Sequence, residues 1–163
     1  QGHDLRAAEK NLQLYHQLSG RAGRTGKPAT VYFQTYNSKS DTISQITNTN
    51  PDVFLEKELV IRKRNNLPPF ERFISIILSG KSEKKIEVFG YKIKEKLNKN
   101  LNAKVLGPVV APINKINKNF RYRILIRSKK TQKIQKTLSN LLNNFKNQKE
   151  IKLAVDVDPI SFN

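Results

Sequence analysis

The chain has 163 residues, of which 31 are lysine or arginine and 13 are acidic, so its formal net charge is +18. This basic balance predicts attraction to polyanions, and on charge alone nucleic acid, an acidic membrane surface and an acidic protein tail all stay open. Cysteine is absent, which excludes disulfides and thiolate chemistry from this segment. No apolar run reaches the roughly 20 residues that span a bilayer. Methionine is also absent, so we expect a piece of a longer protein.

The first part of the chain predicts a helix, a basic loop and a strand. Asp4 is a suitable N-cap, and the helix should end near Gly20. Apolar side chains recur between them at the helical period, at Leu5, Ala8, Leu12 and Tyr15. Residues 30–36 are β-branched and aromatic, which is typical of a strand. The loop therefore connects a predicted helix to a predicted strand.

The loop has a composition suited to binding a polyphosphate. Two glycines let the backbone approach an anion, and the guanidinium groups of Arg21 and Arg24 keep their charge and offer paired donors to phosphate oxygens. The nearby Gly26-Lys27 pair does not complete a P-loop, because Arg21 and Pro28 stand where that motif needs glycine and serine or threonine. The simpler alternative is a solvated basic turn.

Five positions of this segment match a Q-x-x-G-R-x-G-R pattern: Gln17, Gly20, Arg21, Gly23 and Arg24. The pattern resembles the last conserved motif of superfamily 2 helicases, which projects from the second RecA-like lobe onto ATP held by the first. The resemblance implies that Arg24 is an arginine finger acting on the transferring γ-phosphoryl, a role worth about 10³ or more in rate in related hydrolases. It also implies that Arg21 assists catalysis, and that Gln17, Gly20, Arg21 and Arg24 line the nucleotide.

Further stretches, in the same order along the whole chain, resemble the C-terminal end of the PriA family of primosomal replication-restart helicases. They are residues 4–10, 34–37, Arg62-Lys63, Pro68-Pro69-Phe70, 105–108, 111–113 and 155–159. The resemblance implies a cytoplasmic parent protein that is an ATP-dependent 3′-to-5′ DNA helicase restarting stalled replication forks. ATP and Mg²⁺ would act in that full-length protein, and its zinc would lie outside this segment. The implied partners are branched or single-stranded DNA, the acidic tail of single-strand binding protein, and other primosome proteins.

By the same resemblance, residues 1–67 are the remnant of the second RecA-like lobe with a bridging helix, and residues 68–163 are the C-terminal domain. Asn50-Pro51-Asp52 predicts the start of that bridging helix. The segment contains neither a Walker A nor a Walker B motif, so we expect it to be inactive in ATP hydrolysis by itself.

The second half of the sequence predicts six alternating elements. Strands are expected at 72–79, 105–113, 120–127 and 151–157, and helices at 82–99 and 131–145. The order β-α-β-β-α-β is that of a ferredoxin-like domain, with two helices on one face of an antiparallel sheet. The predicted fold class is therefore α+β, with an α/β remnant ahead of this domain.

Alternation along the third predicted strand separates charge from apolar surface. Arg121, Arg123 and Arg127 fall on one side, and Phe120 and Tyr122 on the other. If the apolar side packs on the helices, the open face carries a column of arginines that is a candidate nucleic-acid site. Lys115 and Lys118 in the preceding turn extend that site. The alternative is a solvated face or a surface that docks on another part of the protein.

Other candidate chemistry is weak. His3 and His16 have no ligand partners at metal-binding spacing. Asp156 and Asp158 alternate near a strand end, where turn formation and salt bridges are a better explanation than a catalytic carboxylate pair. Two alternative functions stay open from the sequence: a freestanding RNA- or ribosome-binding module, and a protein-interaction scaffold.

Overall fold

The computed structural model describes residues 6–22, 30–32, 34–37, 43–44, 50–145 and 150–160. The chain divides into two compact units, Gln1–Arg64 and Asn65–Asn163. The first unit contains helices α1 (Ala7–Ala22) and α2 (Pro51–Arg64). The second contains β1 (Glu71–Gly80), α3 (Glu83–Asn100), β2 (Lys104–Ile116), β3 (Asn119–Lys129), α4 (Gln135–Asn143) and β4 (Ile151–Val157).

Helix α2 begins where the sequence predicts. The side-chain oxygen of Asn50 accepts a hydrogen bond from the backbone N–H of Asp52 at 3.0 Å, which satisfies one of the free donors at the helix start. Phe54 is buried together with Leu12 of α1, and Tyr15 packs against this pair. The two helices of the first unit therefore share a small apolar core.

One buried arginine ties these helices together electrostatically. Arg62 of α2 lies 2.9 Å from Glu9 of α1 and 3.0 Å from Glu58 one turn earlier in α2. Its side chain is only 10% exposed. Two carboxylates thus compensate a guanidinium that is largely removed from water.

The strand predicted at 30–36 is not formed among the described residues of that segment. Residues 30–32 and 34–37 have no strand assignment, and the rings of Tyr32 and Tyr36 are fully exposed. A strand needs a neighbour for its backbone groups, and the described residues of the first unit include no other strand to pair with it. High β-propensity does not compensate for that missing partner.

The second unit has the predicted β-α-β-β-α-β order and is confirmed as α+β. Its four strands form one antiparallel sheet in the order β2-β3-β1-β4. This is the ferredoxin-like arrangement, in which each helix connects two strands that have a third strand between them. The two central strands, β1 and β3, are paired along ten positions.

The core lies between one face of this sheet and both helices. Alternate residues of the central strands face it, and the side chains of Ile74, Ile76, Ile124 and Ile126 have no solvent exposure. The helices contribute Ile86, Phe89, Ile93 and Leu97 from α3, and Leu138 and Leu142 from α4. Both helices therefore pack on the same face, as the sequence predicts.

Strand β2 is longer and less regular than predicted. Its pairing with β3 shifts register between Leu106 and Val109 and again between Val110 and Lys115. Gly107 has a φ of 97°, and a side chain there would lie 2.6 Å from the carbonyl oxygen of Arg123. Only glycine fits so close a backbone approach at a positive φ, so this position fixes the bulge.

Helix α4 begins later than the predicted position 131. The preceding residues form a turn in which the N–H of Gln132 donates to the carbonyl of Lys129 at 3.0 Å. Ile134 precedes the helix and offers no side-chain cap. Apolar periodicity locates the packed turns of this helix but gives no signal for its start.

Tyr122 joins the core to α3 through its hydroxyl group. Its ring is 7% exposed, and its hydroxyl donates to Oε1 of Glu83 at 3.2 Å. Burial raises the pKa of the Tyr122 hydroxyl above its ordinary value, and the hydrogen bond to Glu83 raises it further. The folded state therefore holds this proton more tightly than the unfolded state does.

We predict that the free energy of unfolding falls as the pH rises above about 10, because unfolded tyrosine loses its proton there while Tyr122 keeps its own. Below that pH both states are protonated and this contribution is constant. Urea unfolding across alkaline pH should show a steeper decline for the wild type than for Tyr122→Phe, which lacks the titrating group. Parallel declines in the two proteins would contradict the prediction.

Candidate nucleic-acid interface

The described part of the helicase-like motif lies at the C-terminal end of α1. Gln17, Gly20 and Arg21 are exposed. A side chain added at Gly20 would meet no described atom within 4 Å, so packing within the unit does not require glycine here. Gly23 and Arg24 lie outside the described residues. The motif residues that are described thus stand open to solvent.

The three arginines of β3 lie on the sheet face opposite the helices, as predicted. We call this the arginine face. In the neighbouring strand β1, Ser79 is opposite Arg121, Ile77 opposite Arg123, and Phe73 opposite Arg127. Paired residues of an antiparallel sheet project to the same side, so these side chains share the face. The next strand places Lys152 opposite Ser79.

Arg127 is held by contacts within its own domain. Its guanidinium donates to Oε2 of Glu71 at 3.2 and 3.3 Å, and to the carbonyl oxygens of Asn65 and Asn66 at 3.3 and 3.0 Å. It also lies 5.3 Å from the centre of the Phe73 ring. These contacts tie the segment that precedes β1 to the sheet face. The positive charge of Arg127 is thereby largely compensated.

Arg121 and Arg123 have a different environment. Arg121 makes one long hydrogen bond, 3.5 Å, to the carbonyl oxygen of Ile113. Arg123 is half-buried, and this desolvation lowers the pKa of its guanidinium below the ordinary value. The group stays charged at neutral pH, and an anion seated beside it would offset the lost hydration. Residues two apart in a strand are about 6.6 Å apart, close to the spacing of successive phosphates along a nucleic-acid strand.

The two lysines of the hairpin occupy different positions. Lys118 lies in the exposed turn between β2 and β3, where Asn117 and Lys118 both have positive φ, 47° and 65°. This is the geometry of a tight hairpin turn. The ammonium of Lys115 lies 4.6 Å from the centre of the Phe120 ring, on the side of the sheet opposite the arginine face. Lys118 is therefore at the end of that face, and Lys115 is behind it.

Charge on the arginine face is concentrated at one end. Arg121, Arg123 and Lys152 lie toward the β2–β3 turn. The other end carries Asp156 and the Glu71 that compensates Arg127. One strand, β1, lies between Lys152 and Arg121, so two inter-strand spacings give a span of about 10 Å across the sheet. The cationic end is thus broad enough to contact more than one phosphate.

Aromatic rings are not available on this face for stacking on bases. Phe73 faces this side but is 4% exposed beneath Arg127. Phe120 and Tyr122 point to the helix side, as predicted from the alternation. Single-strand binding platforms use exposed rings for bases and positive charge for the backbone. The described residues of the arginine face supply positive charge but no exposed ring.

Asp158 closes β4 onto β1. It lies 3.2 Å from Arg72, and its side chain accepts a hydrogen bond from the N–H of Phe73 at 3.3 Å. Its φ of 53° places it in a turn. For Asp158 the predicted salt bridge and strand-end turn are confirmed, whereas Asp156 lies within the strand pairing and forms no salt bridge with the described residues. Sequence reasoning missed Glu71 and Lys152, which become part of the face only through the strand register.

No helix among the described residues has the length and apolar character to cross a membrane. Within the same residues, histidine, aspartate and glutamate form no group of three that could hold a metal ion.

Comparison with known proteins gives a consistent result. A profile of the family described as the primosomal protein N C-terminal domain matches residues 63–160. Replication restart protein PriA of Rickettsia conorii is 39% identical over 98% of this chain, and that of Rickettsia prowazekii is 40% identical over the same share. The Bacillus subtilis protein of the same name is 34% identical over 96% of the chain. The chain spans 24% of the length of the two rickettsial relatives and 20% of the Bacillus one.

The structure predicts opposite roles for two arginines of the face. Arg127→Ala should lower the free energy of unfolding by about 1–3 kcal/mol, because it leaves the Glu71 carboxylate and two carbonyl groups without their donor. Arg121→Ala should change it by less than about 0.5 kcal/mol, since only one long bond is lost. Urea unfolding of the two variants tests this difference. Equal stabilities would show that the Arg127 contacts contribute nothing measurable.

Proposed function

Because the chain belongs to the primosomal protein N C-terminal domain family, we propose that it is the C-terminal part of a replication-restart helicase and that its arginine face binds DNA. The observation that carries this proposal is the combination of a family match over most of the chain with arginines gathered at one end of an open sheet face. The whole protein would be an ATP-dependent 3′-to-5′ DNA helicase acting at stalled forks in the cytoplasm.

In this proposal the face contacts the sugar-phosphate backbone. Arg121 and Arg123 would each approach a phosphate, with Lys118 and Lys152 at the margins. The lack of an exposed ring among the described residues of the face supports backbone contact over base stacking. Such contacts position a protein on DNA without reading its sequence, which suits a protein that must act wherever a fork has stalled.

Arg127 has a positioning role in the same proposal. Its bonds to Asn65 and Asn66 hold the entry of the domain against the sheet. The two arginines nearer the hairpin turn are then the residues that contact DNA. Partner binding is proposed as well: other primosome proteins and the acidic tail of single-strand binding protein would be attracted to the same basic surface.

The motif at the end of α1 would serve the ATP site of the full-length protein. Arg24 and Arg21 would approach the phosphates of ATP and its Mg²⁺ bound by another lobe, with Gln17 and Gly20 beside them. The exposure of Gln17, Gly20 and Arg21 supports an action on a ligand that their own unit does not enclose. Mg²⁺ would neutralise charge on the transferring phosphoryl group, and the zinc would be held outside this segment.

A scaffold function is the second candidate. The feature that favours it is the mixed surface of the arginine face, where Ile77, Leu106 and Leu125 stand among the charges. An acidic peptide with apolar side chains would match that mixture. Binding to such a peptide together with negligible DNA binding would support this function over the first.

We predict that Arg121→Ala/Arg123→Ala weakens binding to forked DNA about tenfold or more and flattens the salt dependence by about two phosphate contacts. The measurement is fluorescence anisotropy with forked DNA, single-stranded DNA and structured RNA across a salt series. Lys84→Ala/Lys92→Ala is the matched control, because it removes two exposed positive charges from α3 on the other side of the sheet.

Equal loss in the two double variants would show that net charge alone attracts DNA. No loss in either would indicate a docking surface for protein. Tighter binding to structured RNA than to forked DNA at the same salt would favour the RNA-binding alternative.

A second prediction concerns the motif in the full-length protein. Arg24→Ala should reduce DNA-stimulated ATP hydrolysis by about 10³ while DNA binding changes little, because an arginine finger acts on the transition state. Lys27→Ala, three residues further along, removes the same charge outside the motif and should retain turnover. Unchanged hydrolysis in Arg24→Ala would remove this residue from the catalytic role.

A further inference from the structure

Strand β4 is the edge of the sheet next to β1. The N–H of Asp158 donates to the carbonyl of Phe73 at 2.7 Å, which continues the β1–β4 register by one position beyond the pair Ile74 and Val157. Bonded and non-bonded pairs alternate along an antiparallel ladder. The backbone groups of Lys152, Ala154 and Asp156 therefore point to β1. The backbone N–H and C=O groups of Leu153, Val155 and the strand ends point away from β1, and no described strand pairs with them.

A groove of about 440 Å³ runs along the same edge, between β4 and α4. Its lining consists of uncharged polar side chains of α4 and of apolar side chains from both elements, namely Leu138, Leu142, Leu153, Val155 and Val157. None of them is charged, although the chain has 31 basic residues. Val155 and Val157 are 42% and 46% exposed. The outward backbone groups and the apolar side chains thus offer a place for one more strand.

We propose that the occupant is β4 of a second copy of this chain, paired antiparallel with its centre at Ala154. In that register Leu153 stands opposite Val155 of the second copy, and Ile151 opposite Val157. All four have outward-pointing backbone groups, so each pair exchanges two hydrogen bonds. All seven residues of β4 take part in this pairing.

Charge complementarity selects the second copy as the partner. The same register places Lys152 opposite Asp156 of the second copy, and the two-fold symmetry repeats the pair. Both side chains are exposed, and neither forms a salt bridge with the described residues of its own chain. Opposite charges directly across a strand pair are stabilising, and like charges are destabilising. The edge strand is therefore complementary to itself.

The pairing has a structural consequence. An axis perpendicular to the sheet relates the copies, so both helix layers lie on one side and both arginine faces on the other. Two four-stranded sheets become one sheet of eight strands with a continuous basic face. This interface is formed by β4 and does not require that the arginine face binds DNA, although Lys152 belongs to both surfaces.

Salt should act on this pairing in the direction opposite to its action on DNA binding. Each copy carries a formal charge of +18, so the copies repel each other at low ionic strength. Raising the salt from about 0.1 M to about 0.5 M shortens the Debye length from about 10 Å to less than half of that, and screens the repulsion. The same change releases DNA. The two proposals can therefore fail independently.

The test is sedimentation velocity of the 163-residue chain over a range of concentrations at the two salt levels. We expect a dimer that strengthens with salt. Asp156→Lys places like charges opposite each other twice and should raise the dissociation constant roughly tenfold or more. Lys152→Asp/Asp156→Lys exchanges the charges and should restore the dimer. Far-ultraviolet circular dichroism confirms that each variant is folded.

Two further measurements locate the interface. Val155→Pro removes an outward-pointing N–H without touching the ladder to β1, and an edge strand tolerates this change, so the variant should be monomeric. Amide exchange at Leu153 and Val155 should slow as the dimer forms, while exchange at Ala154 and Asp156 stays the same. A monomer under all conditions, or a dimer that survives both Asp156→Lys and Val155→Pro, would overturn the proposal.

Discussion

The central strands β1 and β3 bury apolar side chains on the helix side of the sheet, and the arginines of β3 lie on the other side. The positions of the other residues in the second unit depend on this division. Ile74 and Ile76 of β1 and Ile124 and Ile126 of β3 are completely removed from water on the helix side. Burying side chains of this size contributes about 1.5–3 kcal/mol each. A slip of one residue in β3 would turn its arginines into the core, and the same slip in β1 would bring in Ser75 and Ser79. The apolar set therefore fixes the register, and the register in turn fixes where every charge on the other face lies.

That register also explains why three arginines of one strand differ in their contacts. Arg127 stands opposite Phe73 and beside Glu71, so it finds both a ring and a carboxylate within its own domain. Arg121 stands opposite Ser79, which offers it neither. The net charge of the chain does not distinguish Arg127 from Arg121. Their cross-strand neighbours make one a structural tie and leave the other open to an anion.

Much of the fold could be predicted from the sequence. The order β-α-β-β-α-β, the helix start at Asn50-Pro51 and the face that carries the arginines all follow from local patterns of period two and 3.6, which the core enforces. Patterns of this kind report which side of an element is buried. They do not report which residue of another strand stands opposite, because that depends on register over long sequence separation.

The features that were not predicted share this long-range character. The contacts of Arg127 join β3 to Asn65 and Asn66, about sixty residues away along the chain. The bulge at Gly107 depends on the approach of the Arg123 carbonyl from the neighbouring strand. The segment at 30–36 has a strand-forming composition but no described strand beside it. In each case the sequence shows a local property of the residue or segment, but it does not show which distant residue or strand lies beside it.

The distribution of charge, more than its total, is what separates the surfaces of this domain. A chain with 31 basic residues could be expected to present lysine or arginine everywhere. Instead, the groove along β4 has none in its lining, and the strand beside it carries one lysine and one aspartate symmetrically about Ala154. An edge strand with open backbone groups invites unspecific pairing, and charges on it restrict which strands can approach. Here the restriction has a definite form, because only a strand with the opposite order of charges satisfies both positions. The arginine face gathers positive charge without a pattern, whereas the β4 edge carries one lysine and one aspartate in a fixed order, and Lys152 belongs to both surfaces.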